Sequence, residues 1–193
     1  MAATTFPVQS VDTDRKDLVE LLRDVALVKG DVTLSSGAKA KYLVDAKRVV
    51  LSPDGFRLIG RLIAAQAEEL EATAVGGLTL GADPIAYAAL AVGADVKVFV
   101  VRKEVKEHGL RQRIEGPPLE PTDRCLVVDD VVTSGKSTIM AIEALHQAGL
   151  RICGVVSVLD RLAGGREAIE AAARAPYVAL TTIDDVYPER EDR

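Results

Sequence analysis

One stretch constrains the fold of this chain more than any other, an apolar run that ends in two acids and continues into a small, hydroxyl-rich turn. Residues 126–128 (Leu-Val-Val) are typical of a buried parallel strand, which would deliver Asp129 and Asp130 at its carboxyl end. Residues 133–137 (Thr-Ser-Gly-Lys-Ser) then open a helical pattern. Ligands bind at the carboxyl edge of open α/β sheets, and helix N-termini bind anions. The stretch therefore predicts a phosphate site.

Two other interpretations fit part of this stretch. Gly135 and Lys136 suggest a nucleotide-binding P-loop, but that motif requires a glycine five residues before its Gly-Lys pair, where this chain has Asp130. Because a carboxylate would repel the phosphates that a P-loop encloses, the sequence does not favour a kinase or NTPase. An ordinary strand-to-helix turn with a solvated acid pair is the second alternative.

Composition limits the partners of such a site. A length of 193 residues, 48% of them hydrophobic and 27% charged, predicts a single globular domain over residues 1–193. The net charge of −5 argues against nucleic-acid binding, which relies on many Lys and Arg contacts. The two cysteines have no CxxC spacing, so no disulfide framework or metal site is expected. The N-terminal residues lack a signal-peptide pattern and no apolar run reaches about 18 residues, which predicts a cytoplasmic protein without a membrane segment.

Strands alternate with helices along the chain, which predicts an α/β fold with an open, mainly parallel sheet and helices on both faces. A frayed start, a helix capped by Asp12 or Thr13 and two short strands, at 32–37 and 41–45, would form a small N-terminal hood within about residues 1–51. Further helices are predicted at about 52–70, 84–92, 139–145 and 165–174, and further strands at 74–75, 96–101, 152–159 and 177–182. The acidic tail, 184–193, is predicted to be solvated.

A charged segment follows the predicted strand 96–101. Residues 102–121 have no apolar period, so they are predicted to form a mobile loop over the site. The cations that could surround a polyanion there are Arg102, Lys103, Lys106 and His108. A solvated basic loop is the alternative, because Glu104 and Glu107 lie among these cations.

The two motifs together resemble the orotate phosphoribosyltransferases, which belong to the type I phosphoribosyltransferases. The loop Arg-Lys-Glu-x-Lys-x-His-Gly is followed by Val-Asp-Asp-Val-Val-Thr-Ser-Gly, and the likeness runs from about residue 33 to residue 161. The resemblance implies the type I fold and the transfer of the phosphoribosyl group of phosphoribosyl pyrophosphate (PRPP) to orotate in pyrimidine biosynthesis. It also implies a Mg²⁺ ion held mainly by PRPP, and a homodimer whose catalytic loop reaches the neighbouring subunit.

The resemblance assigns roles to individual residues. Lys103, Lys106 and His108 would be catalytic and, with Arg102, would contact the departing pyrophosphate. Asp129 and Asp130 would bind the ribose hydroxyls. The residues of the loop that would hold the 5′-phosphate are Val131, Val132, Thr133, Ser134, Gly135, Lys136 and Ser137. Thr133 and Arg161 would contact orotate, Arg161 through the orotate carboxylate. A salt bridge to Asp160 is the alternative for Arg161.

The chain also departs from the pattern of many relatives. It has Ser35 in place of a lysine, Leu43 and Val44 where aromatic residues are common, and Leu80-Gly81 in place of a Tyr-Lys pair. Lys39 or Lys41 is a candidate replacement for the missing lysine. Two other functions stay open from the sequence: a purine-base phosphoribosyltransferase of the same fold, and a PRPP-sensing regulator without catalysis.

Overall fold

The structure is a computed structural model that describes residues 10–33, 39–104 and 113–191, and its α/β architecture is as predicted. The strands are β1 (Leu27–Thr33), β2 (Lys39–Val44), β3 (Ala74–Leu78), β4 (Lys97–Val101), β5 (Ile114–Glu115), β6 (Arg124–Val132), β7 (Arg151–Asp160) and β8 (Tyr177–Thr182). The helices are α1 (Val11–Leu21), α2 (Lys47–Val50), α3 (Pro53–Glu69), α4 (Asp83–Ala91), α5 (Lys136–Gln147), α6 (Gly165–Ala173) and α7 (Ile183–Val186). A π-helical turn, Leu22–Ala26, extends α1.

Six strands form one sheet in the order β5-β4-β3-β6-β7-β8, and every neighbouring pair is parallel except β4 and β5. Side chains alternate across β6: Leu126 and Val128 pack in the core with α1, α3 and α4, whereas Cys125 and Val127 pack in the core with α5 and α6. The predicted helices on both faces are therefore confirmed. The chain leaves β3 towards β4 and returns to place β6 on the other side of β3. Ligands of open α/β sheets bind at such a switch point.

The hood is a separate two-stranded antiparallel sheet of β1 and β2. The end of the chain packs against the hood and α1, because Arg23 donates hydrogen bonds to the backbone carbonyls of Asp185 (2.8 Å) and Val186 (3.2 Å). Ile183 and Val186, one helical turn apart on α7, are buried. The prediction of a solvated tail is therefore wrong for Val186, which anchors the tail to the core, whereas the exposed residues of the tail are as predicted: Asp185, Pro188, Glu189 and Glu191.

Several predicted boundaries are also wrong, among them that of the first hood strand, which was predicted at 32–37 and is observed at Leu27–Thr33. Helix α1 is capped by Ser10, whose hydroxyl accepts the N–H of Thr13 (3.3 Å), and not by Asp12 or Thr13. Strand β6 does not end at Asp129 but continues to Val132, because its pairing with β7 extends that far. Within the segment 102–121, β5 pairs with β4 and residues 113–121 are described, so that only residues 105–112 of the predicted loop lie outside the described ranges.

Other boundaries are confirmed closely. Ser52 caps α3 by accepting the N–H of Gly55 (3.1 Å), and Pro53 stands at the first helical position. Strand β8 covers the predicted residues 177–182. In the part of the chain that the structure describes, no helix is long and apolar enough to cross a membrane.

A polar cluster joins the amino ends of three strands, at the opposite end of the sheet from the acid pair. Asp123 accepts hydrogen bonds from the backbone N–H of Glu120 (2.6 Å), from Lys97 Nζ (2.8 Å) and from Thr73 Oγ1 (2.8 Å). The Glu120 N–H, followed by Lys97, outweighs burial and lowers the pKa of Asp123 to about 2. The ionised carboxylate thus holds β3, β4 and β6 together.

We expect Asp123→Asn to lower the free energy of unfolding by about 1–2 kcal/mol at pH 7, because the amide loses the ionic bond to Lys97; solvent near the surface screens part of the effect. The pKa of Asp123 is lower in the folded than in the unfolded chain. Its stabilising effect is therefore present above about pH 4 and is lost as the pH falls towards 2. Urea unfolding of both proteins at pH 7 and pH 3 measures the difference, which should be smaller at pH 3.

The control for this measurement is Asp31→Asn. Asp31 pairs with Lys41 at 2.7 Å, but both side chains are more than three-quarters exposed. The substitution should therefore lower the free energy of unfolding by less than about 0.5 kcal/mol. Equal effects of the two substitutions at pH 7 would contradict the assignment.

Candidate active site

The acid pair lies near the carboxyl end of β6, beside the switch point between β3 and β6. Asp129 and Asp130 are only 4% and 8% exposed. Oδ2 of Asp129 accepts hydrogen bonds from Ser137 Oγ (2.8 Å) and Thr138 Oγ1 (2.7 Å), while its Oδ1 accepts the N–H of Asp130 (3.0 Å). Asp129 therefore ties the end of β6 to the first turn of α5.

Asp130 points to the other face of the strand and has different partners. Its Oδ1 accepts the N–H of Val131 (2.9 Å), and its Oδ2 accepts a hydrogen bond from Lys47 Nζ at 2.5 Å. Lys47 begins α2, directly after the hood. Lys47 was not predicted as a site residue, because no local pattern connects a cation after the hood with an acid pair 83 positions later.

Burial shifts the pKa values of Asp129 and Lys47 away from the charged form, and hydrogen bonds to each group act against burial. Burial raises the pKa of Asp129, and the Asp130 charge adds to this, whereas the hydroxyls of Thr138 and Ser137 lower it. Burial lowers the pKa of Lys47, but the hydrogen bond and charge of Asp130 outweigh burial and raise it overall. At Asp129 burial outweighs the hydroxyls, so its pKa is raised overall, to about 6.

The predicted phosphate loop connects β6 to α5. Thr133, Ser134 and Lys136 are exposed, Val131 and Ser137 are partly buried, and Val132 is buried. Gly135 has φ +75°, and a Cβ there would come within 2.8 Å of the Ile169 side chain. The loop therefore turns tightly against α6 and leaves the N-terminus of α5 open towards solvent, where backbone N–H groups can bind an anion.

The loop before α4 approaches the acid pair from the side of β3. A Cβ at Gly81 would lie 2.7 Å from Asp130 Oδ1 and 3.3 Å from Asp129 Oδ1, so that only a glycine fits there without moving the carboxylates. Leu80, its neighbour, is 76% exposed. Gly81 therefore lets the backbone of this loop approach the two carboxylates closely.

Arg161 follows β7 and adjoins the phosphate loop, since its backbone N–H donates to the carbonyl of Val132 (2.8 Å). Its guanidinium lies 5.2 Å from the centre of the Tyr42 ring, and Tyr42 in turn makes an edge contact with Tyr187 at 5.3 Å. Asp160 instead accepts the N–H of Leu162 (2.8 Å), and among the described residues it forms no ion pair with Arg161. The aromatic support from Tyr42 was not predicted.

The structure shows only part of the predicted cationic loop. Arg102 pairs with Glu115 of β5 at 3.1 Å, and Lys103 is exposed. Lys106 and His108 lie outside the described residues, as does Ser35. Lys41 is paired with Asp31 on the surface of the hood, so its predicted role as a substitute for a lysine at position 35 has no support from its position.

Comparisons with known proteins find similarity along most of the chain. The family model described as a phosphoribosyl transferase domain matches residues 47–176. The orotate phosphoribosyltransferase of Corynebacterium glutamicum (strain R) is 47% identical over 173 residues, which cover 89% of this chain and 93% of that relative.

Two crystal structures of Mycobacterium tuberculosis H37Rv orotate phosphoribosyltransferase are similar to the whole architecture. The complex with Fe(III) dicitrate has a TM-score of 0.81 and 42% identity, and covers 90% of this chain and 99% of its own. The complex with 5-phospho-alpha-D-ribosyl 1-diphosphate (PRPP) has a TM-score of 0.77 and 39% identity, and covers 90% of this chain and 98% of its own.

We expect Gly81→Ala to weaken PRPP binding by at least about tenfold, because the new methyl group would displace the Asp130 carboxylate from the position fixed by Lys47 and the Val131 N–H. Isothermal titration of the protein with PRPP and Mg²⁺ measures the change. Gly60→Ala is a matched control: its Cβ would lie 2.5 Å from the Ala88 carbonyl, away from the acid pair, and should lower stability but not PRPP affinity. Unchanged affinity in Gly81→Ala would show that the acid pair does not bind the ligand.

Proposed function

This chain belongs to the orotate phosphoribosyltransferase family, and we propose that it transfers the 5-phosphoribosyl group of PRPP to orotate, giving orotidine 5′-monophosphate and pyrophosphate in pyrimidine biosynthesis. The observation that carries the proposal is the buried acid pair beside an open helix N-terminus at the switch point of the sheet. That arrangement suits a phosphorylated sugar, because carboxylates accept hydrogen bonds from hydroxyls while the N-terminus of a helix binds the phosphate.

We propose that the two acids contribute to PRPP binding in different ways. Asp129 already accepts three hydrogen bonds within the protein, so it mainly fixes the loop. Asp130 has one protein donor on each oxygen and can accept a further hydrogen bond from a ribose hydroxyl. The exposed hydroxyls of Thr133 and Ser134 and the first N–H groups of α5 would then bind the 5′-phosphate.

The reaction breaks the bond between the anomeric carbon and the pyrophosphate oxygen and forms a bond from the anomeric carbon to a ring nitrogen of orotate. Positive charge develops on the ribose, near the acid pair, and negative charge on the leaving pyrophosphate. We assign Lys103, Lys106 and His108, with Arg102, to the leaving group, where charge-assisted hydrogen bonds would stabilise the departing oxygens. Orotate can lose its ring proton before attack, so no side chain is assigned as a general base.

We propose that a Mg²⁺ ion enters with PRPP. The acid pair accepts hydrogen bonds from hydroxyls, backbone N–H groups and Lys47 within the protein. These donor sets fit an ion coordinated mainly by oxygens of the substrate. When bound, the ion would neutralise negative charge on the pyrophosphate.

Arg161 is proposed to bind the carboxylate of orotate. Its guanidinium is held beside the phosphate loop by Tyr42 and by its own backbone bond to Val132. A carboxylate is the chemical feature that distinguishes orotate from purine bases, so a cation at this position favours orotate over a purine substrate.

The assembly and location are also proposals. We propose one domain over residues 1–193, acting as a homodimer in which the loop 102–121 reaches the partner's site. Tyr87 and Leu90, one turn apart on α4, are about half exposed and supply apolar surface for such a contact. Both cysteines are free, which fits a cytoplasmic location, where thiols stay reduced.

The activity is tested by incubating the protein with orotate, PRPP and Mg²⁺ and following the loss of orotate absorbance together with pyrophosphate release. We expect turnover that requires all three and stops when EDTA removes the metal. Pyrophosphate release with adenine or xanthine but not with orotate would support the purine alternative, and PRPP binding without release with any base would support the sensing regulator.

We expect Arg161→Leu to raise the KM for orotate by about 10–100-fold, because a hydrogen bond to a charged group contributes roughly 1.5–3 kcal/mol. The KM for PRPP should change little. The ratio of kcat/KM for orotate to that for uracil, which lacks the carboxylate, measures the specific contribution of the arginine. A variant that loses activity on both bases equally would show that Arg161 does not contact the carboxylate.

A further inference from the structure

On the premise of the function proposed above, we propose that Lys47 is a positioning residue for PRPP, and that it holds the Asp130 carboxylate in place for the ribose hydroxyls. Lys47 is the first residue of α2, and Asp130 lies 83 positions later in β6. The ion pair between them therefore joins the hood side of the molecule to the carboxyl end of the central sheet.

The geometry leaves Asp130 one orientation. Its Oδ1 is fixed by the Val131 N–H at 2.9 Å, and Gly81 closes the space on that side. Its Oδ2 is fixed by Lys47 Nζ at 2.5 Å. Because an ionised carboxylate oxygen can accept two hydrogen bonds, Oδ2 can bind a ribose hydroxyl while Lys47 stays in contact.

The charges around the pair show why a cation is needed at this point. Asp129 lies next to Asp130 on β6, and Asp45 precedes α2, but Asp45 is paired with Arg48 at 3.3 Å. Among the described residues, Asp129 has hydroxyl and backbone donors and no cationic partner, so Lys47 supplies the positive charge for both acids. Removing it would leave two neighbouring carboxylates in a largely buried place, which favours uptake of a proton.

The Lys47 ion pair differs from the surface pairs of this protein. The Asp130 side chain is 12% exposed and the Lys47 side chain 54%, whereas Lys41 and Asp31 of the hood are 77% and 82% exposed. Exposed pairs contribute little, but a covered carboxylate that loses its partner becomes unfavourable in its charged form. Lys47 should therefore affect the ligand that Asp130 binds.

The experiment compares Lys47→Ala and Lys47→Arg with the wild-type protein in the orotate assay at pH 8.5, 7.5 and 6.5. We expect Lys47→Ala to raise the KM for PRPP by about 10–100-fold at pH 7.5, the scale of one charged hydrogen bond. The kcat and the KM for orotate should stay within about threefold. The defect should grow as the pH falls, because the pKa of Asp129 is already raised to about 6 by burial, and Asp129 takes up a proton more readily once the Lys47 charge is gone. Lys47→Arg should restore most of the affinity.

Two further comparisons separate positioning from a general structural effect. Arg57→Ala removes a half-exposed cation of α3 that pairs with Asp54. It should leave kcat, the KM for PRPP and the KM for orotate unchanged. In a double-mutant cycle, Lys47→Ala should add less than about twofold to the PRPP defect of Asp130→Asn, because Lys47 acts through Asp130. Multiplicative effects would show that Lys47 acts independently of Asp130 and would overturn the proposal.

A KM for PRPP within about twofold of wild type in Lys47→Ala would also overturn the proposed positioning role. So would a variant in which kcat, the KM for PRPP and the KM for orotate all worsen equally and Lys47→Arg does not restore them. Failure of the proposed function is a separate result. If the wild-type protein does not turn over orotate, titration of both proteins with PRPP still tests Lys47, because the predicted loss is one of PRPP affinity; equal affinities would then reject the positioning role.

Discussion

The site depends on the hydrogen bonds that Asp129 accepts from Ser137 and Thr138. A carboxylate buried at the end of a strand is unfavourable unless donors surround it, and these hydroxyls come from the first turn of the next helix. The same bonds therefore offset the burial of the acid and fix the length and course of the loop between β6 and α5. The open helix N-terminus, the tight turn at Gly135 and the placement of Asp130 all follow from this closure.

The alternation of side chains along a strand gives two adjacent acids different tasks. Asp129 faces α5 and is largely saturated by the protein, whereas Asp130 faces α2 and has capacity left for a ligand. One aspartate of the pair thus stabilises the loop, and its neighbour keeps acceptor sites for a ligand. The two acids point to opposite faces because β6 extends to Val132, so that both lie within the regular strand, where successive side chains alternate between faces.

Local patterns predicted the fold class, the helices on both faces, the helix at about 52–70 and the strand 177–182, because periodicity and capping depend on neighbouring residues. They also placed the acid pair and the phosphate loop together, since both belong to one continuous stretch. Contacts between distant segments were not predictable in this way. The pairing of Lys47 with Asp130, the stacking of Tyr42 on Arg161 and the packing of the tail join residues that no local pattern connects.

The packing of the tail has a consequence for the base side of the site. Tyr187, just past α7, supports Tyr42, and Tyr42 supports Arg161. The position of the Arg161 side chain, and with it the base contact proposed for this arginine, therefore depends on how the segment after β8 packs. The acid pair and the phosphate loop do not share this dependence, because their bonds lie within β6 and α5.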